Sequence, residues 1–370
     1  MSTFSRFRPL ACSLPATVPF VGPEAIERQR GLPVRARIGA NESGFGPSPR
    51  VVSALAAASQ DIWKYSDPEN FGIRTALAAH HGLKPEQFAI GEGIDALLGL
   101  IVRLVIEPGL PVVTSLGGYP TFNFHVNGFG GRLVTVPYVN DREDLDGLLA
   151  AVKREDAPLA YLANPDNPMG SWHTAEDVIA FARALPDTCL LILDEAYGET
   201  APAGVIPPAD ALTDLPNVLR MRTFSKAYGL AGARVGYAIG TPGTISAFDK
   251  IRNHFGMARS SVVGALAALE DHNYLTEVVA KIADARARIA AIAENNGLKP
   301  LPSATNFVAV DCGRDATFAR AVVDGLMQHG VFIRMPGVAP LNRCIRISAG
   351  LPADLDLLEQ ALPQVLNGLR

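Results

Sequence analysis

The sequence predicts an α/β fold, with a mostly parallel sheet in a large domain and a smaller α+β domain after it. Three observations carry this. Short apolar runs at 111–115, 133–137, 159–163 and 189–194 alternate with helical stretches at 74–81, 94–106, 174–185 and 244–253. Strands separated by helices run parallel and are covered on both faces. Chemically suggestive residues follow the C-terminal ends of these runs, where open α/β sheets place their sites. The texture also changes after about residue 255.

Taken in order, residues 1–35 are Pro-rich and weakly patterned, and are expected to form an arm or extended segment. Residues 36–255 are expected to form the large domain. Residues 256–370, joined by the arm, are expected to form the smaller one. There the pattern predicts a long Ala-rich helix at 275–297 and a strand at 305–311. A helix at 314–328, strands at 330–334 and 344–348 and a closing helix at 352–368 follow.

Composition narrows the class. Apolar residues make up 48% of the 370 and charged residues 19%, which suits a globular chain able to bury a large core. Lys plus Arg is 33 against 37 for Asp plus Glu, a net charge of −4, so no general attraction to nucleic acid or anionic lipid is expected. Any anion site must be local. Cys12, Cys189, Cys312 and Cys344 form no CxxC pair, which predicts reduced thiols in a cytoplasmic protein and no metal site. His80-His81 precedes Gly82 and reads as a helix end. No signal peptide is read at the start, and no apolar run reaches the ~20 residues of a membrane helix.

Four segments carry chemistry. The run 189–194 ends in Asp194, followed by Glu195, Ala196 and Tyr197. A carboxylate at a strand mouth is well placed for function, although alone it also reads as a helix cap. The next strand-like stretch, 218–222, runs into Thr223, Ser225, Lys226 and, eight residues past the lysine, Arg234. Small and apolar neighbours depress a lysine and make its amine nucleophilic; the plainer alternative is a surface lysine near a Gly-rich turn. NPDNPMG at 164–170 lets Asn167 point an amide at a ligand, or is an ordinary turn. GEGIDA at 91–96 opens a helix, where backbone amides near Gly93, Ile94 and Asp95 bind phosphate. It also fits a dinucleotide pattern, but no acidic residue ends the 111–115 strand to take a ribose. Together the segments suit a phosphorylated pyridine, pyridoxal 5′-phosphate. Asp194 would face the ring nitrogen, Asn167 and Tyr197 the ring oxygen, and Ile94, Asp95, Thr223, Ser225 and Arg234 the phosphate.

At this point the sequence closely resembles the fold-type I pyridoxal-phosphate aminotransferases, in particular the histidinol-phosphate aminotransferase family. The likeness runs from about Arg8 to the C-terminus, through NESGFGPSP, KYSDP, GEGID, NPDNPMG, LDEAYGE, TFSKAYGLAGAR and RCIRISAG. It implies that Lys226 forms the Schiff base and shuttles the proton between substrate and cofactor. It implies that Phe122 stacks on the cofactor ring, with His125 as the competing candidate. Arg346 would pair with the substrate carboxylate and Arg334 with a substrate phosphate, while Asn41 and Glu42 would lie on the substrate side. Tyr65 would reach the cofactor phosphate of a neighbouring subunit, implying a homodimer with shared sites. The expected reaction is ping-pong transfer from an amino donor to a 2-oxo acid. NESGF and MPGVAPLNRC depart from the family's usual pattern, so other readings stay open: another amino-acid aminotransferase, a phosphothreonine decarboxylase or a ligand-sensing module.

Overall fold

The computed structural model describes residues 6–16 and 21–369. After β1 (Ala36–Arg37), the chain builds β2 (Phe88–Gly91), β3 (Pro111–Ser115), β4 (Arg132–Val136), β5 (Leu159–Ala163), β6 (Leu190–Asp194), β7 (Val218–Thr223) and β8 (Gly236–Ile239). These last seven form one sheet in the order β2-β8-β7-β6-β5-β3-β4. The pairs from β7 through β4 are parallel, while β8 runs antiparallel to both β7 and β2. β3 and β5 are buried along their whole length, which is why they read as largely apolar runs without polar alternation.

Helices cover both faces. Ile94–Val105 and Pro120–Gly128 pack Leu97, Ile101, Phe122 and Val126 against Tyr161, Ile192 and Met221. Leu145–Glu155 and Ala175–Ala184 pack Leu148, Val152, Val178 and Phe181 against Val113, Leu162, Leu191 and Leu193. The alternation of Ile192 and Leu193 between faces is the period-two signature of a strand. Thr174 starts the second of these helices with a reciprocal cap: it accepts the Asp177 amide, and the Asp177 carboxylate accepts the Thr174 amide.

The rest of the chain adds β9 (Lys299–Pro300), β10 (Phe307–Asp311), β11 (Val331–Phe332) and β12 (Cys344–Ser348). β12, β10 and β9 form an antiparallel sheet, and β11 pairs with β1. Helices His272–Asn295, Ala316–Gln328 and Pro352–Gly368 close a second core that also holds Ala36 and Ile38.

Three expectations change. The first 35 residues contain helices Pro9–Ser13 and Pro23–Arg30, both opened by proline, whose fixed φ suits a helix start. The 244–253 stretch is a helix of five residues, Pro242–Ser246, tightening into a 3-10 turn over Ala247–Lys250. Helix Arg259–Leu269, for which the pattern gave no element, packs with Val51, Ile73 and Phe88 in the core under β2 and β8. Among the described residues no helix is long and apolar enough to cross a membrane, and no cluster of His, Cys, Asp and Glu suits a metal.

Candidate active site

The C-terminal ends of β5, β6 and β7 open into a cavity of about 340 Å³, which meets a second of about 780 Å³. Ala40, Tyr119, Asn167 and Lys226 line both, so the two form one continuous site. The first holds Asp194, Tyr197, Thr223, Ser225 and Arg234; the second reaches Arg334 and Arg346.

Lys226 follows β7 by three residues. Its Nζ donates to the Asn41 carbonyl at 3.3 Å and lies 5.5 Å from the centre of the Tyr197 ring. Burial, then the charge of Arg346, pushes its pKa down to about 8 from the ordinary 10.5. A lysine in that range supplies a neutral, nucleophilic amine near neutral pH.

Asp194 ends β6 and is 6% exposed. Its Oδ2 accepts the Tyr161 hydroxyl at 2.6 Å and its Oδ1 accepts the Ala196 amide at 2.9 Å. Burial pushes its pKa up to about 6, opposed by those two hydrogen bonds and by Lys226. The carboxylate therefore holds its charge at neutral pH and gains from any cation placed against it. Glu195, next along, is held by Arg220 and Arg222 at 3.0 and 2.9 Å, which anchors the strand end.

Arg234 sits in the left-handed backbone region (φ 54°), which ordinary side chains adopt only where the surroundings impose it. Its guanidinium reaches the Asp95 carboxylate and the Ser225 hydroxyl, each at 3.5 Å. The Ser225 hydroxyl also accepts from Thr223 at 2.9 Å. Gly93, the N-cap of Ile94–Val105, has φ 82°, and a Cβ there would stand 2.4 Å from an Arg234 nitrogen. Gly236 of β8 likewise lets the helix start come close: a Cβ on it would lie 2.7 Å from the Ile94 nitrogen. A cradle of first-turn amides, two hydroxyls and a guanidinium fits a phosphate.

Arg346 of β12 donates to Asn167 Oδ1 at 2.5 Å and to the Gly39 carbonyl at 3.5 Å. Its Nε is buried without a hydrogen-bond partner among the described residues. Arg334 pairs backbone to backbone with Arg346 across an antiparallel bridge, so the two side chains leave the same face. Arg334 also donates to the Val21 carbonyl at 2.9 Å. Burial and the neighbouring Arg334 help push the Arg346 pKa down to about 10, still well above neutrality. Paired guanidiniums with an unspent donor suit a multiply charged anion.

Asn41, also in the left-handed region (φ 57°), donates through Nδ2 to the Tyr197 hydroxyl at 3.1 Å and accepts from Ser348 at 2.9 Å. The Glu42 carboxylate lines the first cavity but is taken by Arg37, at 2.6 and 2.8 Å. Tyr65 lies outside both cavities, 77% exposed beside Phe255.

Phe122 must be corrected. It is 0% exposed and lines neither cavity; its ring stacks under Tyr161 at 4.7 Å. One turn into helix Pro120–Gly128, it points to the core. His125 lies further along the same helix, against Gly99. From this segment the aromatic residue at the site is Tyr119, the N-cap of that helix, whose hydroxyl donates to Asp95 at 2.8 Å. Tyr119 follows the end of β3 by four residues, which is the signal that could have found it. Tyr161 was missed as well; a tyrosine inside a fully buried strand needs a partner for its hydroxyl.

The family model for aminotransferase class I and II matches residues 37–362. Histidinol-phosphate aminotransferase of Roseiflexus castenholzii is 36% identical over 367 residues, 97% of each chain. The crystal structure of histidinol-phosphate aminotransferase from Sinorhizobium meliloti, in complex with pyridoxal 5′-phosphate, is 68% identical, with a TM-score of 0.98 over 100% of both chains. Aspartate aminotransferase of Thermus thermophilus, at 21% identity and a TM-score of 0.79 over 92% and 94% of the two chains, shares the fold. A family match covering most of the length, on a chain whose strand ends gather this lysine and this carboxylate, establishes that the protein belongs to the class I and II aminotransferases.

Proposed function

We propose that the chain is a pyridoxal-phosphate aminotransferase that moves the amine of histidinol phosphate to 2-oxoglutarate in two half-reactions. The observation that carries this is the meeting of Lys226, Asp194 and the Arg334–Arg346 pair in one continuous cavity. The 68% identical relative supports the choice of donor. When bound, pyridoxal 5′-phosphate supplies an aldehyde for the amine and a protonated ring that spreads the electron pair left at the substrate Cα.

The first turn of Ile94–Val105, Thr223, Ser225 and Arg234 would hold the phosphate. Asn167 and Tyr197 would hydrogen-bond the ring oxygen, and Tyr119 would cover the ring. Asp194 holds a negative charge where the ring nitrogen's proton needs one. Lys226 would take the proton from the substrate Cα and give it to the cofactor carbon that carries the amine, and in the second half-reaction move it in the opposite direction onto the Cα of the 2-oxo acid, a role open to an amine whose pKa is near 8. Arg346 orients the carboxylate of the 2-oxo acid, and Arg334 the phosphate of the donor.

Substrate assignment is tested at Arg334. Arg334→Gln is expected to lower kcat/KM for histidinol phosphate by roughly 10- to 100-fold, the worth of a hydrogen bond to a charged group, and to leave the glutamate half-reaction within about threefold. Steady-state kinetics and single half-reactions check this. Equal losses for both donors would remove Arg334 from phosphate recognition.

We also propose a homodimer working in the cytoplasm. Ile62, Trp63, Tyr65 and Phe71 form an apolar surface 66–78% exposed, of the kind an interface covers. In a dimer Tyr65 would reach the other subunit's phosphate cradle. The four free thiols, three of them buried, suit a reducing compartment. Trp63→Glu is expected to give monomers in sedimentation analysis, with weaker cofactor binding. Monomers that bind the cofactor as tightly as wild type would contradict shared sites.

A further inference from the structure

We infer that Tyr161 is a positioning residue for the cofactor: its hydroxyl keeps the Asp194 carboxylate charged and fixed in plane, and Phe122 is the platform that holds its ring. The inference rests on the cofactor reading above and goes beyond it, to what makes Asp194 fit for its task.

Tyr161 lies on β5, beside β6, in the register that sets Ala163 against Asp194. It is 1% exposed, and its hydroxyl donates to Asp194 Oδ2 at 2.6 Å. The Ala196 amide takes the other oxygen at 2.9 Å. One donor on each oxygen fixes the carboxylate plane and leaves each oxygen able to accept once more. Phe122 stacks on the Tyr161 ring at 4.7 Å with 18° between planes and offers no polar atom to compete for the phenol.

The charged and titratable groups facing Asp194 do not secure its charge by themselves. Lys226 favours it and Asp95 opposes it; buried Glu143 is itself pushed up, in part by the charge of Asp194, and Tyr197 adds no cation. Burial is the largest influence and also opposes it, and the Tyr161 hydroxyl is the largest that favours it. If Tyr161 merely satisfied its own hydroxyl, its removal would alter stability and nothing about the charge of Asp194.

The test is cofactor binding to the purified protein by equilibrium titration across pH, with Tyr161→Phe and Phe122→Leu beside wild type. Tyr161→Phe keeps the stacked ring and removes only the donor. Its dissociation constant for pyridoxal 5′-phosphate is expected to rise about tenfold at neutral pH, as for one lost hydrogen bond to a charged acceptor. Without that donor Asp194 protonates more readily, so the acid limb of binding should move up by about one pH unit. Phe122→Leu, which keeps the hydroxyl but loosens it, should shift both in the same direction by less. An unchanged affinity, or a weaker affinity with an unmoved acid limb, overturns the inference. Wild-type protein that does not bind the cofactor at all would strike the underlying functional reading instead.

Discussion

Lys226→Ala is expected to fold, to bind the cofactor without the visible band of the lysine-bound form, and to lose transamination by at least ~10⁴-fold. The nucleophile and the proton carrier are the same amine, and an acid–base group alone contributes up to about 10⁴. No neighbour replaces it: Arg346 keeps its proton at neutral pH, Asp194 is taken by Tyr161 and Asp95 by Tyr119 and Arg234. The same substitution should raise the melting temperature of the cofactor-free protein at pH 7. A lysine whose folded pKa is lowered to about 8 from 10.5 disfavours folding most below 8, where both states carry the proton. The penalty fades as pH rises from 8 to 10.5, so wild type and variant should converge at high pH. Assays of both half-reactions and melting curves at two pH values check the pair of effects. Wild-type activity in the variant would end the mechanism.

Asp194→Asn should be nearly as severe for the chemistry and milder for the fold. An asparagine keeps one oxygen to accept the Ala196 amide, but its NH₂ cannot accept the Tyr161 hydroxyl. The loss of a buried negative charge facing a protonated ring should cut kcat by about 10³-fold, in the range of a preorganised electrostatic contact. Cofactor affinity should fall with it, while far-UV circular dichroism stays unchanged. A rate within a few-fold of wild type would show that the charge opposite the ring nitrogen comes from elsewhere.

Much of this arrangement was legible in the residues. β3, β5 and β12 and the helix Pro352–Gly368 occupy the very ranges the pattern predicts, because strands buried on both faces and a helix opened by proline leave clear edges. The cavities gather Lys226, Asp194, Asn167, Tyr197, Thr223, Ser225 and Arg234, since each follows a strand end or a turn motif. What was missed depended on direction rather than on residue type. Tyr119 and Phe122 are three residues apart; only the start of the helix at Pro120 decides that the first faces the cavity and the second the core. Tyr161 sits inside an apolar run, where nothing local marks its hydroxyl as aimed at a carboxylate 33 residues on. β8 is four residues following a glycine-rich motif, too short to stand apart from it, and its antiparallel course is set by its neighbours.

One measurement bears most directly on the claim that this chain is a Lys226-dependent aminotransferase for histidinol phosphate. Purified protein is loaded with pyridoxal 5′-phosphate, and the visible absorbance is followed after adding histidinol phosphate, glutamate, an aromatic amino acid or phosphothreonine singly. Histidinol phosphate and glutamate should each discharge the visible band to the amine form, and 2-oxoglutarate should restore it. A band unmoved by histidinol phosphate but discharged by another donor would contradict the substrate, and no band at all would contradict the role of Lys226.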